Sequence, residues 1–311
     1  MSRHLISIHD LTAAEVAGLF RLSADVKANP SKYENHMHRK TLAMIFEKSS
    51  TRTRVSFEVG MAQMGGAALF LSSRDIQIGR GEPISDTAKV LSRYVDGIMA
   101  RTFAHQTVTD LAKFGTVPVI NGLTDELHPC QALVDYFTLI EVFGSQEALR
   151  GRKIAYIGDG NNMVHSLMFG ASKAGMDIAV ASPKGYEVNP RYAELARQDA
   201  AAAGTKLILT NDPAEAVKDA SAVYTDVWAS MGQEAEQQER IKAFKGFTVD
   251  TALMSHARKE AVFLHCLPAH RGEEVSAEVC DGPQSRIFDE AENRLHVQKA
   301  IMLWLMAGVG I

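Results

Sequence analysis

The chain has 311 residues, 46% of them hydrophobic and 23% charged, which suits about two domains with sizeable cores. A formal net charge of −4 gives no global reason to expect nucleic-acid or membrane-surface binding, so any basic cluster is local. Three cysteines, no CxxC pair and no HExxH argue against a disulfide framework and a structural zinc; no apolar signal core opens the chain and no run nears the roughly 20 apolar residues of a membrane span, so a cytoplasmic protein is expected. In chain order, "SIHDLTAAEVAGLFRLSADVKANP" predicts a helix capped at Asp10 or Thr12 and stopped at Asn29-Pro30. "TLAMIFE" (41–47) reads as a buried strand, "RVSFEVGMAQMGG" as a helix ending at Gly65-Gly66, and "AALFLS" (67–72) as the next strand of a βαβ unit. "PISDTAKVLSRYV" is a helix before strand "DGIMAR" (96–101), and "TVTDLAKFG" a helix before "VPVIN" (117–121). "HPCQALVDYFTLIEVFG" (128–144) is a longer helix ending at Gly144.

A second alternation follows. Strand "KIAYIG" (153–158) leads through a Gly/Asn turn into a helix reaching Ala174; then come "DIAVASP", an Ala-rich helix, "KLILTN", "PAEAVKDA", "SAVYTDVW" (221–228), a polar segment and "AVFLHCLP" (261–268). The tail "NRLHVQKAIMLWLMAG" is an amphipathic helix. This pattern predicts an α/β chain with two doubly wound parallel-sheet domains, divided near residue 145, with ligands expected in the interdomain cleft at the carboxyl ends of the strands.

Several short stretches carry chemistry. "FEKSSTRTRVSFEVG" places Ser50, Thr51, Arg52 and Thr53 where a strand hands over to a helix. Free N–H groups and the positive dipole end attract anions there, and an arginine fork suits phosphate. A capped helix with solvated arginines explains the same residues, and no Walker glycines are present. "IGDGNNMVHS" gives only G-x-G-x-x-M, with Met163 in the third glycine's place and Ser182-Pro183 where a ribose-binding acid would stand. Asn161 and Asn162 offer side-chain amides instead, although asparagine also simply favours turns. "HPCQ" puts Pro129 in a first helical turn, with His128 and Gln131 projecting from it; a lone His128 is as well explained as a cap or a satisfied buried histidine. Asp226 ends one strand and Cys266 another. Ser230 opens the polar run "SMGQEAEQQER", a candidate lid. Cys266 is a candidate nucleophile or a structural thiol, and Pro268 a candidate cis proline.

Together and in this order, "STRTR" (50–54), "RT" (101–102), "HPCQ" (128–131), "NN" (161–162), "DVWASMG" (226–232), "HCLP" (265–268) and "ENRLHVQK" (292–299) make the chain resemble the aspartate/ornithine carbamoyltransferase family over essentially its full length. "SMG" and "HCLP" look like the ornithine branch. The resemblance implies transfer of the carbamoyl group of carbamoyl phosphate to the δ-amine of L-ornithine, giving citrulline and phosphate, within arginine metabolism. It implies a carbamoyl phosphate domain (1–144), on which a C-terminal helix (292–311) packs back, and an ornithine domain (145–291). No metal or organic cofactor is implied, and the assembly would be a homotrimer.

By the same resemblance, Ser50, Thr51, Arg52 and Thr53 hold phosphate. Thr53, Arg101 and His128 face the carbonyl oxygen, while Gln131, Cys266, Leu267 and Arg294 orient the carbamoyl end. Asn162, Ser230 and Met231 take ornithine's α-amino and α-carboxylate groups, and Asp226 and Cys266 stand near its δ-amine. Gln77, in the loop "SSRDIQIGRGEP", would reach a neighbouring subunit's phosphate site. No covalent enzyme intermediate is required. Carbamoyl transfer to putrescine or lysine, a dinucleotide-dependent dehydrogenase and a non-catalytic binding protein stay open as rivals.

Overall fold

The computed structural model describes residues 2–229 and 236–311. It divides into two compact units, residues Met1–Val134 with Glu292–Ile311, and Asp135–Ala291. The division falls inside a helix, whereas the sequence reading set it after Gly144; a helix that continues unbroken carries no local signal of such a change.

The first unit opens with α1 (Ala13–Ala28), capped by a reciprocal pair: the Thr12 side chain accepts from Glu15 N, and the Glu15 carboxylate accepts from Thr12 N. Then come β1 (Thr41–Phe46), α2 (Thr51–Gln63), β2 (Ala67–Ser72), α3 (Ile84–Leu91), β3 (Gly97–Arg101), α4 (His105–Phe114), β4 (Val119–Leu123) and the start of α5 (Pro129–Phe143). The sheet is parallel, in the order β2-β1-β3-β4. β1 lies between two strands and is buried along nearly its whole length, as its continuous apolar run requires. β2 is equally apolar but forms an edge, and Leu69 and Phe70 remain 48% and 37% exposed. The segment after β2, expected as an extended loop, makes one 3₁₀ turn at Gln77–Arg80 closed by Gly81 at φ 90°. Because the chain leaves β1 toward β2 on one side and β3 lies on the other, the carboxyl ends of β1 and β3 flank the switch point where such sheets take ligands.

The second unit contains β5 (Lys153–Ile157), α6 (Asn162–Ala174), β6 (Asp177–Ala181), α7 (Pro190–Ala203), β7 (Leu207–Thr210), α8 (Pro213–Val217), β8 (Ala222–Thr225), α9 (Gln237–Ala243), α10 (Thr251–Met254), β9 (Val262–Leu264) and α11 (Ala277–Cys280). Its parallel sheet runs β7-β6-β5-β8-β9, which puts the switch point between β5 and β8. Tyr156 and Tyr224 stack across those two strands with ring centroids 6.0 Å apart.

The long closing helix α12 (Ile287–Ala307) returns to the first unit from Glu292 onward. It packs on α2: Lys299 Nζ donates to Gln63 Oε1 at 3.1 Å, and a Cβ on Gly60 would lie 2.9 Å from Met302 Cε. A larger residue at position 60 would have to displace the end of the Met302 side chain. No helix among the described residues is long and apolar enough to cross a membrane.

Candidate functional site

In the first unit the site grows from three strand or helix ends. Ser50 caps α2, its Oγ accepting from Thr53 N at 3.2 Å and donating to Thr53 Oγ1 at 3.1 Å. Thr51 is exposed and Arg52 half-buried in the first turn, while Thr53 is fully buried. Thr53 Oγ1 also accepts from Arg294 Nη2 at 2.7 Å, and the same guanidinium's Nη1 donates to Gln131 Oε1 at 2.7 Å. Arg294 thus ties the start of α2 to the start of α5 from its place on α12. Arg101 is the last residue of β3, and the register with β4 shifts between Ala100 and Arg101, which re-aims the side chain at the strand end.

His128 is buried immediately before α5. Burial, and then the positive charges of Arg294 and Arg101, hold its pKa well below the usual imidazole value. It is therefore neutral at physiological pH, and can donate a hydrogen bond without carrying charge. Cys130, two residues on, is structural: its thiol donates to Asn121 O at 3.3 Å and burial pushes its pKa up to about 12. Arginines, hydroxyls and a helix N-terminus thus meet in one place, a combination whose chemistry suits an anion. Gln77 is exposed on its turn.

The second unit's cluster lies at its own switch point. Asp226 follows β8 and accepts at both oxygens: from Asn161 Nδ2 at 2.9 Å on Oδ2, and from Val227 N at 2.9 Å and the Cys266 thiol at 3.2 Å on Oδ1. Asn161 is also the cap of α6, its Oδ1 accepting from Met163 N and Val164 N. The side-chain amide thus satisfies the N–H groups that would hold a pyrophosphate in a dinucleotide enzyme. Gly160 is needed here, since a Cβ would sit 2.3 Å from Glu187 C. Asn162 is half-buried at the first helical position.

Leu267 has φ 61° and its bond to Pro268 is cis. The turn is held by His265: Leu267 N donates to His265 Nδ1 at 2.9 Å, so Nε2 carries the proton that faces Glu274 Oε1 at 3.3 Å. Glu290 Oε2 accepts from His265 N at 3.0 Å. Burial, followed by the charges of Asp226 and Glu290, pushes the Cys266 thiol well above its ordinary pKa. At neutral pH Cys266 is a thiol donating to a carboxylate, which is the wrong state for a nucleophile. Iodoacetamide at pH 8 is therefore expected to alkylate Cys266 at least tenfold more slowly than a free cysteine of pKa about 8.5, as read by peptide mass spectrometry; modification at the free-thiol rate contradicts that protonation state.

Donor atoms of Asp226, His265 and Cys266 lie within 4.8 Å of one another. They make a poor metal site, because both His265 nitrogens are engaged and the thiol keeps its proton. Ser230 and Met231, and the start of the candidate lid, lie outside the described residues; from Gln237 the polar run is the helix α9.

Sequence reasoning missed four contributors. Asn161 is read from the sequence as an amide donor or a turn residue, but not as the cap of α6 or the partner of Asp226, although the preference of asparagine for caps singles out the residue before the helix. Glu274 and Glu290 look like surface acids in charged runs, yet both are buried against His265. Asp159 pairs with Arg240, Oδ2 to Nη1 at 3.0 Å, and burial raises the Asp159 pKa to about 6 against the pull of that arginine.

Residues 3–141 match the family of aspartate/ornithine carbamoyltransferase carbamoyl-P binding domains, and residues 150–305 the Asp/Orn binding domain of the same enzymes. The chain is 58% identical over 300 residues to an ornithine carbamoyltransferase of Bacillus subtilis, covering 96% of this chain and 92% of that one. It is 52% identical over 311 residues to one of Thermococcus kodakarensis, covering 99% and 98%. Its fold is similar to the solved ornithine carbamoyltransferase of Pyrococcus furiosus, with TM-score 0.94, 52% identity and coverage of 99% and 98%.

Proposed function

From the premise that this chain belongs to the aspartate/ornithine carbamoyltransferase family and is a carbamoyltransferase, we propose that it makes L-citrulline and phosphate from carbamoyl phosphate and L-ornithine, in arginine metabolism. The observation that carries the choice of substrates is the opposite polarity of the two clusters. The first unit gathers Arg52, Arg101, Arg294 and the neutral His128 around a helix start, as a dianion with a carbonyl needs. The second offers the carboxylate of Asp226, as an amine needs.

In this mechanism Ser50, Thr51, Arg52 and Thr53 hold the phosphate, joined by Gln77 of a neighbouring subunit. Arg101, His128 and Thr53 donate to the carbonyl oxygen, while Gln131, Arg294 and the backbone at Cys266 and Leu267 orient the carbamoyl end. Asn162, Ser230 and Met231 hold the α-amino and α-carboxylate groups of ornithine. Its δ-amine, with a free pKa of about 10.4, attacks only when neutral, and Asp226 with Cys266 positions it. The nitrogen lone pair forms the new C–N bond, and the carbonyl oxygen takes up the displaced π electrons. As the carbonyl re-forms, the C–O bond to phosphate breaks, and the departing phosphate carries away the proton lost by nitrogen. Fixed donors at the oxyanion lower this barrier, each by about 2.7–4 kcal/mol.

The homotrimer is supported by an exposed apolar face: Val55 and Val59 on α2 and Leu69 and Phe70 on the β2 edge, a surface that a second copy would cover. A cytoplasmic setting is supported by three free cysteines. The test is an amine panel at saturating carbamoyl phosphate. Ornithine is expected to exceed lysine and putrescine in kcat/KM by at least 100-fold, about 2.7 kcal/mol. Comparable rates with putrescine would remove the need for α-amino and α-carboxylate contacts.

A further inference from the structure

Just beyond the HCLP turn, the segment "AHRGEEV" (269–275) brings together three potential ligands that the mechanism does not use. His270 Nδ1 lies 3.7 Å from Glu274 Oε2 and 4.0 Å from Glu273 Oε2, and the three donor atoms all fall within 4.8 Å of one another. Glu274 has no solvent exposure, and its Oε1 accepts from His270 N and faces His265 Nε2. Its Oε2 is buried with no hydrogen bond among the described residues, and it points at the imidazole. A buried carboxylate oxygen left in this state is costly.

The backbone around it is held from several sides. Arg271 makes a bidentate pair with Asp281 at 2.7 and 2.5 Å, Gly272 N donates to Val275 O, and Thr248 Oγ1 donates to Glu273 O. The donors are thus presented on a fixed turn. Two of the separations, 3.7 and 4.0 Å, lie within the roughly 4.4 Å that two ligands bonded to one cation at about 2.2 Å can span, and an imidazole with two carboxylates is a donor set of zinc and its neighbours.

We propose that His270, Glu273 and Glu274 form a site for a divalent transition-metal ion, with Glu274 as the link to the turn that carries Cys266. The metal would take Oε2 of the carboxylate whose Oε1 faces His265, so that binding stiffens the HCLP segment. It needs no thiolate, which separates it from the cluster of Asp226, His265 and Cys266.

The full-length protein, stripped with a chelator and desalted, is titrated with Co²⁺ alone by absorption and by calorimetry. The expected result is one Co²⁺ per chain, with visible d–d bands and no thiolate-to-cobalt charge transfer in the near ultraviolet. Cys266→Ala should bind as the parent does. His270→Ala and Glu273→Gln should bind at least tenfold more weakly. His270 is 48% exposed and Glu273 32%, so both variants should keep the metal-free melting temperature. Co²⁺ should raise the melting temperature of the parent and not of these two. No binding at millimolar Co²⁺, a charge-transfer band lost in Cys266→Ala, or unchanged affinity in both His270 and Glu273 variants would each overturn the proposal; the first outcome would leave His270 as an ion-pair partner only.

Discussion

Arg101→Met is expected to lower kcat by about 10²–10³-fold while the protein stays folded. Arg101 ends β3 and is buried beside Arg294 and His128, whose proton it repels. Methionine fills a similar length without a donor, so on the proposed mechanism the variant removes hydrogen bonds aimed at an oxygen that becomes fully anionic only as the amine attacks. The loss should therefore appear mainly in kcat, with a smaller change in KM for carbamoyl phosphate. Because the side chain sits at a strand end, the far-ultraviolet spectrum should be unchanged. Arg101→Lys should recover little, since lysine keeps the charge but not the planar fork. A methionine variant within threefold of the parent kcat would remove Arg101 from the reaction.

Asp226→Asn should cost about 10²–10⁴-fold in kcat/KM for ornithine. The carboxylate accepts from Asn161, Val227 and Cys266 at once. An amide of the same shape turns one of those acceptors into a donor, set against either the Asn161 amide or the Cys266 thiol. It also removes the negative charge that, on the proposed mechanism, positions the amine. Carbamoyl phosphate binds the other unit in this account, so its dissociation constant should move by less than about threefold. That split is the informative readout: an equal loss for both substrates would point to a general folding defect instead. Asn161→Ala should show a weaker form of the same split, because it leaves the carboxylate in place but removes its support and the cap of α6.

The strands were legible because their signals are local. "TLAMIF" is apolar throughout and buried on both faces, so run and burial agree. "AALFLS" has the same character and is a strand, yet its exposure depends on which strands flank it, and that is decided by a crossover far along the chain. The parallel α/β architecture followed from alternation, whereas the division inside α5 did not, since a helix shared by two units has no break to read.

At the site, Ser50 was readable as a cap from type and position alone. The Arg294 bridge to Thr53 and Gln131 spans 241 and 163 residues; the family resemblance names the three residues as ligand contacts but not the bridge between them. Buried acids were hardest to see. Glu274 and Glu290 have the sequence surroundings of solvated residues, and Lys48, buried and paired with Asp125, looks like an ordinary surface lysine.

The most direct measurement of the central claim follows the carbon itself. Carbamoyl phosphate labelled with ¹³C at the carbonyl is mixed with ornithine and enzyme, and the quenched reaction is read by NMR and mass spectrometry. The account predicts that the label enters the ureido carbon of citrulline at the rate phosphate is released, one for one, with no labelled protein at any time. Phosphate released without citrulline, or a labelled Cys266 that forms and decays at the turnover rate, would contradict it.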